Sequence, residues 1–262
     1  NILFAQSTTV VISQVYGGGA NSGATYNADF IELHNKSAVD QSVDGMSLQY
    51  FSATGTAKWS GVILLPNATI PAGGYYLVQT NVAGVVGANL PTPDFTATTA
   101  VNMSGTNGRV ALVNGTDTLT GCPTDPTVID LVGYGNSVCF EGTASGALSS
   151  TTAAIRNSFG CDDTNNNSTD ITIGTPNPRN SSSSVFICGV TPIPASLNLS
   201  TLNSFGGICI TSGGVEGSFT LSGTNLSNAD IVIGALDGFS YSSVSGGPYT
   251  STLTITQPGG NL

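Results

Sequence analysis

In Asp29-Phe30-Ile31-Glu32-Leu33-His34-Asn35 the apolar Ile31 and Leu33 alternate with the polar Glu32 and His34, and the run ends at a turn-forming Asn. A period of two is that of a half-buried strand. Just before it, Val10-Val11-Ile12-Ser13-Gln14-Val15-Tyr16 runs into the loop Gly17-Gly18-Gly19. The same design recurs along the chain. Residues 9–16, 28–35, 45–52, 73–80, 108–114, 128–134 and 153–157 read as strands, with turns marked by Pro71-Ala72-Gly73-Gly74, Asn107-Gly108 and Asn114-Gly115. Helical periodicity is nearly absent, with one helical turn at most expected within residues 83–90. Many short strands with Gly, Pro and Asn between them specify an all-β sandwich or barrel.

The chain has 262 residues, enough for one large or two ordinary domains. Only 8% of them are charged, while 39% are hydrophobic and lie in short alternating runs, so apolar burial can offset the entropy of ordering the chain. No apolar stretch approaches the ~20 residues of a spanning helix, which speaks against membrane insertion. Fifteen acids face five bases, and Lys36, Lys58, Arg109, Arg156 and Arg179 are scattered. Nucleic-acid affinity rests on clustered cations at phosphates, so direct nucleic-acid binding is excluded as an expectation. An acidic surface suits cations, glycans or protein partners, with plain solubility the ordinary reading.

Five sequence blocks together resemble the bacterial, secreted branch of the lamin tail domain family, over roughly residues 8–185. They are the opening pair of strands, then Ile70-Pro71-Ala72-Gly73-Gly74-Tyr75-Tyr76-Leu77-Val78, then Gly108-Arg109-Val110-Ala111-Leu112-Val113-Asn114. Val128-Ile129-Asp130-Leu131-Val132-Gly133-Tyr134-Gly135 follows, and Ala154-Ile155-Arg156 with the Asp162 to Asp170 loop closes the set. The Gly- and Ala-rich residues 81–101 depart from the pattern. The resemblance implies an immunoglobulin-like sandwich that binds and scaffolds and does not catalyse. It also admits a second role, because such domains precede nuclease or phosphoesterase domains in secreted bacterial chains.

The domains expected are a signal remnant or strand extension at 1–7, with signal cleavage after Ala5, and a lamin-tail-like sandwich at 8–178. A Ser- and Pro-rich linker at 179–194 follows. Residues 195–262 resemble part of a small immunoglobulin-like repeat found in secreted bacterial surface proteins, so the fold class is all-β with two immunoglobulin-like sandwiches, the second incomplete. An incomplete sandwich exposes an edge, and three readings are open: the chain stops short of the last strands, which is the favoured one, those strands are mobile, or a strand of another copy fills the edge, with residues 1–12 a candidate donor. The expected role is a non-enzymatic structural or adhesive protein, secreted to a bacterial surface. Its expected partners are other copies, surface proteins or glycans. A carbohydrate-binding module is a further alternative.

The candidate site residues are few, and no cofactor is expected. No cysteine sits in a Cys-x-x-Cys pair, which weakens zinc and redox-motif readings. Cys122 with Cys139, and Cys161 with Cys188, are candidate disulfides. Cys209 is left over, and Cys188 with Cys209 is an alternative pairing. Asp117-Thr118-Leu119 resembles a bacterial O-glycosylation pattern, with Thr118 the acceptor. His34, the one histidine, is opposite in phase to Ile31 and Leu33, so it is expected to face solvent or an edge. Glu32 and Asp130 could pair as acid and base, but the plainer reading has them hold backbone donors or face water. Asp163, Asn165 and Asn167 are spaced like the first ligands of a calcium loop, yet Ser168 and Gly174 stand where Gly and Glu are required. Tyr50, Phe51, Trp59, Tyr75 and Tyr76 could form a sugar-stacking platform, against which stands ordinary core packing.

Overall fold

The structure is a computed structural model that describes residues 7–124, 126–189, 195–202, 214–226, 229–257 and 259–262. Most of the N-terminal extension, the prolines of 190–194 and Cys209 lie outside the described residues. The chain forms two units, Asn1–Val190 and Thr191–Leu262.

The first unit contains β1 (Val10–Tyr16), β2 (Phe30–Asn35), β3 (Gln41–Ser42), β4 (Ser47–Ser52), β5 (Gly61–Leu64) and β6 (Thr69–Ile70). β7 (Tyr75–Gln79), β8 (Phe95–Thr96), β9 (Gly108–Val113), β10 (Val128–Tyr134), β11 (Ala153–Arg156) and β12 (Ile171–Gly174) complete it. A six-stranded sheet runs β12-β11-β1-β2-β7-β8, and a four-stranded sheet runs β10-β9-β4-β5. All pairs are antiparallel except β7 with β8. The seven strands read from the sequence are all present. Those that escaped it are two to four residues long, too short for alternation to register. Residues 83–90 hold no helix: Gly87 has φ +96°, a conformation a helix cannot continue through.

The core lies between the two sheets. Ile12, Val15, Ile31, Leu33 and Val78 from one sheet meet Leu48, Val110, Leu112, Val132 and Tyr134 from the other. A bulge in β1, between the pairs Ile12↔Leu33 and Gln14↔Glu32, keeps this face apolar. The extra residue lets both Ile12 and Val15 point inward, and it sends Ser13 and Gln14 to Glu32 on the other face. Gly17 is required where β1 leaves the sheet, since a Cβ there would sit 2.5 Å from the Ser104 carbonyl oxygen.

Both outer faces of the sandwich are also covered. Trp59, Leu119, Val128, Leu131 and Cys139 cluster on the four-stranded sheet, and Tyr16, Phe30, Leu77 and Ala153 on the six-stranded one. Residues 179–189, expected as the start of a linker, are held on this unit. Arg179 binds Glu32, the Phe186 amide donates to the Gly73 carbonyl at 2.7 Å, and Cys188 is bonded to Cys161.

In the second unit β13 (Ser196–Leu199) pairs with β14 (Leu221–Thr224), and β15 (Ile231–Ile233) with β16 (Leu253–Ile255), both antiparallel. Gly223 and Leu262 exchange backbone hydrogen bonds along β14. Tyr241 and Thr250 form an isolated antiparallel bridge.

Candidate functional site

The polar residues of β2 converge on the outer face of the six-stranded sheet. Glu32 is fully buried, and its carboxylate accepts from the Arg179 Nη2 at 2.7 Å, the Arg179 amide at 2.6 Å, the Ser13 hydroxyl at 2.5 Å and the Gln14 amide nitrogen at 3.2 Å. Burial pushes the carboxyl pKa up and the Arg179 guanidinium opposes it. The guanidinium also lies 3.8 Å from the centre of the Tyr75 ring.

His34 is buried and not solvent-facing, which corrects the expectation from phase. Its ring stacks on Tyr75, with centroids 4.5 Å apart, and its Nε2 is 2.9 Å from the Phe186 carbonyl. The alternation of β2 is real, but the chain leaving the sandwich folds back over the polar face. Burial lowers the imidazole pKa, which favours the neutral ring. With Nε2–H donated to Phe186, Nδ1 carries the lone pair, and this buried atom has no hydrogen-bond partner. A ring nitrogen of His34 and the sulfurs of Cys161 and Cys188 lie within 4.8 Å of one another. The two cysteines form a disulfide with Cα atoms 5.5 Å apart, which decides between the two pairings open for Cys188.

A second cluster bridges the sheets. Arg156 on β11 donates from Nη2 to both oxygens of Asp130 on β10, at 2.8 and 2.7 Å. Its Nη1 lies 3.7 Å from Asp163 and 4.0 Å from Asp170. Burial opposes the guanidinium charge, but the carboxylates of Asp130 and Asp163 overbalance it and hold Arg156 protonated. Glu141 is buried nearby and makes no ion pair among the described residues. Burial, and then the charge of Asp130, push its pKa up to about 9. Glu32 and Asp130 are on different sheets, each with its own arginine, so the structure does not bring them together as an acid–base pair.

The loop spaced like a calcium site is organised around Arg156. Asp163 accepts from the Ser7 amide, and Asp170 accepts from the Thr164 hydroxyl at 2.6 Å and from the Thr164 and Asn166 amides. Asn167 bonds the backbone of Gly133, Leu131 and Glu141. The missing signal for this cluster was Arg156 itself, an unremarkable residue in the sequence that supplies the cation.

A second buried cation, Arg109, lies 5.1 Å from the centres of both the Phe51 and Trp59 rings and donates to the Ala53 and Gly55 carbonyls. Beside it Cys122 and Cys139 are bonded, with Cα atoms 5.3 Å apart. The aromatics do not make a platform: Trp59, Tyr75 and Tyr76 are buried, with Trp59 on the four-stranded sheet and the tyrosines on the six-stranded one. Thr118 is half-buried between exposed Asp117 and buried Leu119, in a loop held by the Gln49 amide. Among the described residues no helix is long and apolar enough to cross a membrane.

Fold and buried clusters define an immunoglobulin-like β-sandwich whose ionisable groups face one another. A model of the lamin tail domain family matches residues 4–136, and the chain belongs to that family. Among solved structures, a DUF4876 family protein from Bacteroides thetaiotaomicron is similar at 13% identity, over 68% of this chain and 74% of that one, with a TM-score of 0.49. No curated protein matches.

Proposed function

We propose that this chain is a non-enzymatic structural or adhesive protein that acts outside the cell, at a bacterial surface, and associates with copies of itself through strand edges. Several features support the reading. The buried charged groups of the first unit hold its loops and sheets, with Glu32 committed to Arg179 and Asp130 to Arg156. The chain's one histidine faces a disulfide in place of a free nucleophile. Two disulfides suit an oxidising compartment.

The observation that carries the self-association is in the second unit. Among the described strands, β13 pairs only with β14, and β15 only with β16. Leu197 and Leu199, at i and i+2 on one face of β13, are 46% and 64% exposed, and Val232 on β15 is 64% exposed. Apolar strands with unpaired edges add strands from other chains unless something covers them. Sedimentation velocity across a concentration series, with electron microscopy of the same samples, tests the proposal. Growing species and fibres are expected. A monomer at every concentration overturns it.

A further inference from the structure

We propose that reduction of the Cys161–Cys188 disulfide converts this corner of the sandwich into a three-ligand site for a thiolate-seeking divalent cation such as zinc, with His34 as the third ligand. The geometry is already gathered: the two sulfurs and a ring nitrogen of His34 lie within 4.8 Å of one another. Zinc bonds of about 2.3 Å to sulfur and 2.0 Å to nitrogen fit a cluster of this size after small side-chain rotations.

The histidine is prepared for the task. Its Nε2 is 2.9 Å from the Phe186 carbonyl, and a carbonyl accepting from the far ring nitrogen fixes the tautomer and orientation of a metal-bound histidine. Nδ1 is buried and unpartnered, a costly arrangement unless the lone pair has a further use. Nδ1 lies against Gly160, whose own Cβ, if it had one, would come within 2.8 Å of it, and the next residue is Cys161. Any side chain at Gly160 would crowd the nitrogen. The Tyr75 ring, which itself lies under the Arg179 guanidinium, stacks on His34 and holds the imidazole plane.

The conversion balances with a dithiol or phosphine as reductant. Two electrons break the S–S bond and two protons complete the thiols, while the reductant becomes a disulfide or a phosphine oxide. Zinc then displaces both thiol protons to solvent, and three protein ligands leave one position open. Both cysteines are only half-buried, so reductant and ion can reach them.

The test uses the full chain. It is reduced with a phosphine, freed of reductant without oxygen, and alkylated with or without zinc chloride before peptide mass spectrometry. Zinc is expected to protect Cys161 and Cys188 at least tenfold while leaving the alkylation of the exposed Cys122 unchanged. His34→Gln is expected to abolish most of that protection. Equal alkylation of all four cysteines with and without zinc overturns the proposal, as does protection unchanged in His34→Gln. A second readout covers the case in which that variant does not fold. The melting temperature of the reduced wild-type chain is expected to rise with zinc and that of the oxidised chain to stay put, and a reduced chain indifferent to zinc also overturns the proposal.

Discussion

The guanidinium of Arg156 lies across the carboxylate of Asp130 and ties one sheet of the sandwich to the other, with both side chains out of water. The two residues also finish a broken ladder. Pairing of β1 with β11 covers Gln14↔Ile155 and Val15↔Ala154, and beyond it Asp130 accepts from the Ile12 amide at 2.6 Å while Arg156 Nε donates to the Ile12 carbonyl at 2.9 Å.

Removing one member of this pair leaves a buried charge without its partner. Arg156→Met is therefore expected to lower unfolding stability by about 3–5 kcal/mol, and the added change Asp130→Asn to restore part of the loss. Urea unfolding of the two variants checks it. Arg156→Lys is expected to fall short of wild type, because an ammonium cannot reproduce the fork on Asp130 and also reach the carbonyls of Ile12 and Asp162.

Glu141 sets a pH dependence with a definite sign. The folded carboxyl keeps its proton up to about pH 9, against an ordinary value of 4.5. Between those values the folded chain binds a proton that the unfolded chain has released, so this residue makes stability fall as pH rises through the window. Glu141→Gln mimics the protonated acid. The stability difference between variant and wild type is expected to grow in favour of the variant by roughly 1 kcal/mol per pH unit. Urea midpoints at several pH values read it directly.

Adding a chelator to the oxidised protein is expected to leave its melting temperature unchanged. Asp163 and Asp170 already face the Arg156 cation, and Asn167 is committed to backbone groups. A lower melting temperature that calcium restores would contradict this description of the loop.

The disulfides staple segments of different length, with separations of 17 and 27 residues. Restricting the unfolded chain stabilises by about 3.1 kcal/mol in the first case and about 3.6 kcal/mol in the second. The double change Cys161→Ser and Cys188→Ser is expected to cost the larger amount. It is also expected to speed amide exchange at residues 179–189, since that segment then loses its covalent tie and keeps only non-covalent ones, such as Arg179 on Glu32 and the Phe186 amide on Gly73.

The sandwich was legible because its inward residues obey strand periodicity, as in Ile31 and Leu33 of β2 or Val110 and Leu112 of β9. The clusters were not. Period two separates two faces but does not say whether the second is wet. On β2 that face carries Glu32 and His34, and both are buried because residues 177–188 return to cover them. The partners are far apart in sequence, with Glu32 and Arg179 separated by 147 residues. A bulge such as the one at Ser13 leaves no sequence mark, since its cause is the match between β1 and β2. The cysteine pairs were readable as candidates, but the choice between Cys161 and Cys209 for Cys188 needed the fold.

Deuterium exchange of the intact chain at low and high concentration tests self-association through the second unit most directly. The account predicts that amides of β13, and of β15 and β16, become slower to exchange as concentration rises, while those of β1 and β2 stay constant. Identical exchange at both concentrations throughout residues 195–262 would contradict it.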